Sequence, residues 1–340
     1  MTKEDWLQHL EGLHPKGQAG IELGLERIRL VKAALGQTQH CPVITVGGTN
    51  GKGSTCAYLE NIIDRAGYKV GCYTSPHLLA YNERIRLNGQ SVSDEALCAA
   101  FARVEAARRQ AGDVALTYFE FGTLAAWEVF AEAGVEAAIL EVGLGGRLDA
   151  VNCYEPDVAI VTSVALDHTD WLGPDREAIG FEKAGIYRAG KPALCADPQP
   201  PQSLLDHAAA IGADLRLVGR DFGFERDLEN RLQWRWWCRS GERVMRRSLA
   251  YPGLRVRREL RLYPLRFGQT NIIRKQAKPS AFRSAKELAL RCVDQTTGKP
   301  VAGASVVVVL DRRRGFGISD AQTDKDGTYR TPLPAGQTRI

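Results

Sequence analysis

Residues 43–54, Val-Ile-Thr-Val-Gly-Gly-Thr-Asn-Gly-Lys-Gly-Ser, constrain this chain more than any other stretch. An apolar, β-branched run stops at a loop carrying four glycines, one lysine and one serine. Such a run suits a strand buried in a parallel sheet, and glycines let successive backbone N–H groups close round an anion. Asn50, Gly51, Lys52, Gly53 and Ser54 are therefore candidates for a phosphate cradle. Lys52 would neutralise terminal phosphates, and the Ser54 hydroxyl would ligate Mg²⁺ at the start of a helix. The spacing departs from the general P-loop: three residues separate Gly47 from Gly51, and Gly53 intervenes between Lys52 and Ser54. A flexible strand-to-helix turn is the structural alternative.

Length and composition set the frame. With 340 residues and 44% hydrophobic content, the chain is long enough for about two domains. No run of about 18 apolar residues marks a membrane span, and the charged start Met1-Thr-Lys-Glu-Asp-Trp is unlike a signal peptide. A cytoplasmic protein is expected. Eight cysteines at 41, 56, 72, 98, 153, 195, 238 and 292 form no Cys-x-x-Cys pair and read as reduced core residues. The net charge of +5 is unevenly spread: Arg255 to Arg291 holds eleven Lys/Arg against Glu259 and Glu287. A basic block invites a nucleic-acid reading. Without a recognition motif or regular aromatic interleaving, no nucleic-acid partner is expected.

Residues 1–253 alternate strand and helix patterns as a mostly parallel α/β sheet does. The strands fall at Val43–Val46, Val70–Tyr73, Ala137–Glu141, Val158–Ser163 and Pro192–Cys195. The helices fall at Ile21–Leu35, Gly53–Ala66, Asp94–Ala111, Thr117–Ala133 and Arg176–Ile186, the third with Asp94 as N-cap. Residues 215–248 alternate like an antiparallel hairpin at the sheet edge. Residues 254–291 read as a basic linker. Residues 292–340 are β-rich, with two strands around a Thr-Gly-Lys-Pro turn and a turn at Thr323–Tyr329.

Four further constellations carry chemistry. Ser75, in Thr74-Ser-Pro-His-Leu78, follows a strand at the end where open α/β sheets bind ligands, and is a metal-ligand candidate or a plain turn. Glu141 ends an apolar strand before a glycine-rich turn. A carboxylate is costly to bury there without a cation, so it reads as a metal ligand or a helix cap. His168, in Leu166-Asp-His-Thr, reaches the same end of the sheet as a ligand or a structural histidine. Lys183, in Phe181-Glu-Lys-Ala-Gly, is a surface lysine or an amine depressed by nearby cations.

Taken together, Gly47–Ser54, Ser75-Pro-His77, Thr117-Tyr-Phe-Glu120, Glu141-Val-Gly-Leu-Gly-Gly146, Leu166-Asp-His168 and Glu182-Lys-Ala-Gly-Ile186 closely resemble the bacterial bifunctional folylpolyglutamate synthase/dihydrofolate synthases of the Mur ligase superfamily. The N-terminal Leu10–Pro15 and Ile21–Arg27 fit the same pattern. The resemblance implies an α/β fold, P-loop-type, with a mostly parallel sheet flanked by helices over residues 1–253. It implies a monomeric ATP-dependent ligase that joins L-glutamate to dihydropteroate or folates through an acyl phosphate. ATP and Mg²⁺ are the implied cofactors. Asn50 to Ser54 would form the ATP loop, and Ser54, Ser75, Glu141 and His168 the metal ligands. Lys183 would be a carbamylated lysine, and Thr117, Tyr118, Phe119 and Glu120 part of the dihydropteroate pocket. Lys52, Glu141, His168 and Lys183 would carry catalysis.

The family pattern breaks after Tyr251-Pro-Gly-Leu254. The nucleotide-contacting asparagine helix and the Asp-x-Ala-His-Asn-Pro motif of the family's C-terminal domain have no counterpart, and the tail resembles a fragment of a carboxypeptidase-regulatory-like β module. A truncated ligase joined to foreign sequence is expected, with a catalytically inactive remnant that at most binds nucleotide or pteroate as the alternative.

Overall fold

The computed structural model describes residues 1–15, 21–226, 233–240 and 243–250, together with the strands 287–291, 305–310, 317–322 and 328–332. The chain divides into two units, Met1–Gly223 with Cys238–Val244 and Phe224–Trp237 with Met245–Ile340.

The first unit is built on strands β1 (Val43–Gly47), β2 (Val70–Tyr73), β3 (Ile85–Leu87), β4 (Gln90–Ser91), β5 (Ala137–Glu141), β6 (Val158–Val161), β7 (Pro192–Cys195) and β8 (Asp214–Leu217). They form one sheet of order β4-β3-β2-β5-β1-β6-β7-β8. Pairing is parallel from β2 across to β8, and β3 and β4 add an antiparallel hairpin at one edge. All five strands expected from the sequence are present. The edge hairpin turns through Asn88 and Gly89, both at positive φ (47° and 74°), the Asn-Gly turn that matches strand twist.

Eight helices accompany the sheet among the described residues: α1 (Lys3–Leu13), α2 (Glu26–Ala34), α3 (Lys52–Arg65), α4 (Asp94–Gln110), α5 (Tyr118–Ala133), α6 (Thr169–Leu172), α7 (Arg176–Ala184) and α8 (Gln202–Ile211). Successive strand residues point to opposite faces. Val46, Val70, Cys72 and Ile139 pack with Cys56 of α3 in a small cluster, whereas Val43, Tyr73, Ala138 and Leu140 join the main core. α5 is apolar nearly all round and correspondingly buried, from Phe121 to Phe130. Its Trp127 stacks on Tyr154 at 4.2 Å and 17° and donates Nε1–H to the Thr38 carbonyl at 3.2 Å.

Ser93 caps α4, accepting the Ala96 amide at 3.2 Å. The sequence reading gave that role to Asp94. Asp94 is instead the first helical residue, where its carboxylate meets the helix dipole and receives Lys3 and Asn82. The expected edge hairpin over 215–248 also differs: β8 continues the parallel sheet. Strands β9 (Phe222–Arg226), β10 (Gln233–Ser240) and β11 (Arg243–Ala250) make a sheet of their own, order β11-β10-β9. Seven described cysteines are free thiols, five of them buried, as expected. Cys292 lies outside the described residues.

In the second unit, β12 (Glu287–Arg291) pairs antiparallel with β15 (Thr328–Pro332), and β13 (Ser305–Leu310) with β14 (Gly317–Gln322). Most of the expected basic linker (254–286), the Thr-Gly-Lys-Pro turn and the start of the turn at 323 lie outside the described residues.

Truncating Trp127 to alanine removes a fully buried ring, its stacking partner and a hydrogen bond. Urea unfolding is expected to show a loss of about 3–5 kcal/mol.

Candidate active site

The middle of the sheet fixes where chemistry can happen. β1 lies between β5 and β6, all parallel, so the loops leaving their carboxyl ends converge on one edge. From these loops come the glycine-rich segment 47–53, Glu141 with its turn, and residues 162–168.

The phosphate-loop candidate is clamped from behind. The Thr162 hydroxyl donates to Asn50 O at 2.7 Å and can reach Gly47 O at 3.2 Å, Asn50 N donates to Ser163 Oγ at 3.1 Å, and Thr49 N donates to Ser163 O at 2.8 Å. Thr49 Oγ1 also accepts the Ala165 amide at 3.0 Å. Gly48 has φ 136°, and a Cβ there would sit 1.9 Å from Thr162 Oγ1 and 2.9 Å from Thr162 N. Only glycine fits. Gly51, left-handed at φ 87°, starts α3 with no side-chain cap, so the first amides of that helix have no cap from it. Lys52 Nζ donates back to Gly48 O at 2.9 Å and Thr49 O at 3.2 Å. Ser54 is exposed on the first turn.

Glu141 ends β5 and is 4% exposed. Its Oε2 accepts the Ser75 amide at 3.0 Å, and a Cβ on Gly53 would lie 3.7 Å from its Oε1. Burial pushes the Glu141 carboxyl up, opposed by that amide and by the charges of Lys52 and Arg86. Arg86 ties this corner together. It bonds Glu60 of α3 (2.9 Å), Thr74 Oγ1 (2.9 Å) and Glu83 O (3.1 Å), joining the phosphate-loop helix to the Ser75 turn.

The turn after Glu141 is held by Asp149, a residue the sequence reading passed over. Asp149 is 3% exposed, and its carboxylate accepts the Leu144 amide at 2.8 Å and the Val151 amide at 3.0 Å. Burial raises its pKa to about 7 against those amide bonds. The signal available was an acid closing a glycine-rich turn just before Ala150–Cys153, a short 3₁₀ turn that it caps. The turn then packs on α7 backbone to backbone. A Cβ on Gly146 would lie 2.6 Å from Glu182 O and 3.0 Å from Lys183 Cα. Arg147 N donates to Glu182 O at 2.8 Å, and its side chain pairs with the Glu182 carboxylate at 2.8 Å.

Lys183 is thereby turned inward, 4% exposed, and its pKa falls to about 8 through burial and the charge of Lys52. His168 sits at the start of α6 in a left-handed conformation (φ 49°). It lines one cleft with Gly48, Lys52, Asp167 and Lys183. The structure thus brings Lys52, His168 and Lys183 together. It brings Glu141, Ser75 and the first turn of α3 together beside them, with Lys52 acting electrostatically on both groups. Among the described residues no cluster of three or more His, Cys, Asp or Glu gathers round one point. A buried carboxylate facing a serine-bearing helix start fits an ion of the Mg²⁺ kind, which takes one or two protein oxygens and fills its remaining positions with phosphate and water.

Thr117 and Glu120 form a capping box at the start of α5. Thr117 Oγ1 accepts the Glu120 amide at 3.2 Å, and Glu120 Oε2 accepts the Thr117 amide at 2.8 Å. Arg27 adds an ion pair to Glu120 at 3.0 Å. Phe119 stacks on Tyr73 (5.7 Å, 29°) and lies against Gly143, so it borders the glycine-rich turn. Tyr118 is buried edge-on to Tyr81 at 5.7 Å.

Residues 46–196 match the Mur ligase middle domain. The particular likeness is to dihydrofolate synthase/folylpolyglutamate synthase. That protein of Escherichia coli (strain K12) is 55% identical over 220 residues, which is 64% of this chain and 51% of the relative. The structure of E. coli FolC in complex with DHPP and ADP superposes with a TM-score of 0.68 at 48% identity, covering 75% of this chain and 59% of that one. A bifunctional folylpolyglutamate synthase/dihydrofolate synthase with Mn, AMPPNP and L-glutamate bound gives a TM-score of 0.64 at 49% identity, over 72% and 57%. The chain therefore spans about half the length of the curated relatives it matches. Among the described residues no helix is long and apolar enough to cross a membrane.

Gly48→Ala is expected to displace the loop from Thr162 and abolish detectable ATP binding in equilibrium dialysis, while circular dichroism still reports a folded sheet. Asp149 gives a pH signature. Its folded pKa lies above its unfolded one, so the native state holds a proton that the unfolded chain has lost between roughly pH 4 and 7. Stability therefore falls as pH rises through that window. Urea midpoints for wild type should decline relative to those of Asp149→Asn over that range.

Proposed function

We propose that this chain is an ATP-dependent ligase that joins L-glutamate to dihydropteroate and to folates. The observation that carries the reading is the single cleft lined by Gly48, Lys52, His168 and Lys183 beside Glu141 and Ser75. A phosphate loop, a buried carboxylate and an inward lysine at one sheet edge suit phosphoryl transfer to a carboxylate better than hydrolysis by a nucleophilic side chain. The ligands named in the related structures, ADP with DHPP and AMPPNP with L-glutamate, agree with it.

Asn50 to Ser54 bind the ATP phosphates through backbone amides and the α3 start. Lys52 exchanges its two loop carbonyls for phosphoryl oxygens and stabilises their charge in transfer. The γ-phosphoryl group passes to the carboxylate of dihydropteroate, or to the γ-carboxylate of a folate glutamate, giving an acyl phosphate and ADP. The amine of L-glutamate then attacks the acyl carbon, and phosphate leaves as the amide forms. Ser54, Ser75, Glu141 and His168 would hold Mg²⁺, which neutralises phosphate charge when bound. Lys183, titrating near 8, is neutral often enough to take up CO₂ as a carbamate with loss of a proton. Phe119 and Tyr118, at the α5 start, flank the pteroate ring system, and Thr117 and Glu120 hold that start in shape. Residues 1–253 are assigned as the ATP-binding domain, 254–291 as a basic linker and 292–340 as a β-rich fragment, in a monomeric cytoplasmic protein.

A second reading keeps binding without turnover. It is favoured by the extent of the match to the E. coli relative, which covers 220 residues and about half of that protein. Phosphate release with Mg²⁺-ATP, dihydropteroate and L-glutamate, beside a Lys52→Ala control, decides between them. Glutamate-dependent turnover lost in the control is the expected result. Folded protein that binds ATP with no turnover supports the second reading.

A further inference from the structure

His168 is carried by a loop with little of its own to hold it. Between Val164 and Arg176 only Leu172 is buried, and it rests on the turn after Glu141, where a Cβ on Gly145 would lie 2.8 Å from Leu172 Cδ2. Leu166 and Trp171 are exposed. The backbone bonds of the tip, from the Trp171 and Leu172 amides to His168 O and from the Gly173 amide to Thr169 O, stay inside the loop. A segment with so few outside contacts keeps one arrangement only if its ends are fixed.

An ion pair fixes them. Arg176, on the first turn of α7, donates Nε–H to Val164 O at 2.9 Å, across twelve residues of chain. Asp197 lies just beyond β7 and is 6% exposed. Its Oδ2 accepts the Val164 amide at 2.7 Å and Arg176 Nη2 at 3.2 Å. Its Oδ1 takes the Gln199 amide at 2.9 Å, and Arg176 Nη2 also reaches Gln199 O at 2.9 Å. Both backbone polar groups of the buried Val164 are thus satisfied by one charged pair, which joins the loops after β6 and β7 to α7. The residues on either side are held by the phosphate loop instead: Ser163 O and Oγ accept the Thr49 and Asn50 amides, and Thr49 Oγ1 accepts the Ala165 amide. The phosphate-loop clamp therefore has bonds of its own, whereas the loop bearing His168 is closed at Val164 by Arg176 and Asp197. A planar fork serves Val164 O, Asp197 and Gln199 O together, which a lysine ammonium on a flexible stem does not reproduce.

We propose that Arg176 and Asp197 are positioning residues of this site: they clasp the neck of loop 164–176 and thereby hold His168 where it meets the divalent cation of a bound nucleotide. The proposal rests on the ligase reading above, in which His168 holds Mg²⁺. Neither residue touches substrate; both act through the Val164 backbone.

Electron spin-echo envelope modulation of the full chain, with Mn²⁺ and a non-hydrolysable ATP analogue, reads whether an imidazole nitrogen is bound to the ion. Calorimetry reads the affinity of the Mn²⁺–analogue complex and, separately, of ADP without metal. Wild type is compared with His168→Ala, with Arg176→Met, which keeps the stem, and with Arg176→Lys, which keeps the charge. Nitrogen modulation is expected in wild type and its loss in His168→Ala. Arg176→Met is expected to lose it too, with about tenfold or more weaker binding of the Mn²⁺ complex and metal-free ADP affinity within about twofold of wild type. Arg176→Lys should fall with Arg176→Met. Folded Arg176→Met with wild-type modulation and affinity overturns the positioning role alone. An equal loss for metal-free ADP overturns it as well, since the effect then lies in the phosphate loop. Should Arg176→Met fail to fold, Asp197→Asn is held to the same criteria. Wild type that binds the Mn²⁺ complex without nitrogen modulation overturns His168 as a ligand and the proposal with it. Wild type that binds no nucleotide overturns the ligase reading itself.

Discussion

The Thr162 hydroxyl, seated against Gly47 O and Asn50 O, is the contact on which the site depends. A glycine-rich loop has many conformations available, and its entropy must be offset before it can present amides in one arrangement. Thr162 and Ser163 do this from the neighbouring strand end, and they are in place only because β6 runs parallel to β1 in register, Gly47 opposite Val161. The same sheet, through β5, delivers Glu141 opposite Val46. Two strand pairings therefore set the relative positions of loop, clamp and carboxylate. The buried α5 and its Trp127–Tyr154 stack fill the main core cluster, which β1 and β5 share.

The second half of the site depends on main-chain contact. Gly146 and the Arg147 amide meet the Glu182 carbonyl with no side chain between, so the inward direction of Lys183 follows from two backbones touching. Asp149 stabilises the turn that makes this approach possible, with a carboxyl buried at the cost of its usual acidity. Arg86 does the equivalent for the Ser75 turn, through its bond to Thr74 Oγ1.

Much of this was legible in the sequence, for identifiable reasons. Buried parallel strands are short apolar runs that end at glycines and acids, so all five expected strands and the residues after them were placed. What escaped was information carried by contacts rather than runs. Arg86 acts through partners 3 to 26 residues away that no local pattern announces, whereas Asp149 closes a glycine-rich turn whose signal went unused. The β3–β4 hairpin is short, and its Asn88-Gly89 turn went unused. Thr117 and Glu120, read by resemblance as pocket residues, spend their side chains on capping α5; Thr-x-x-Glu before an apolar run is itself the capping-box signature. Ser93 and Asp94 were exchanged because both are good caps and only the hydrogen bond distinguishes them.

Lys52 makes bonds to the carbonyls of Gly48 and Thr49. The ammonium thereby props up its own loop, and any arriving anion must compete with those carbonyls for its N–H donors. A singly charged oxyanion returns little more than the carbonyls already give, whereas a polyphosphate returns several charged contacts at once. A loop whose cation is already held in this way favours polyanions over singly charged ones.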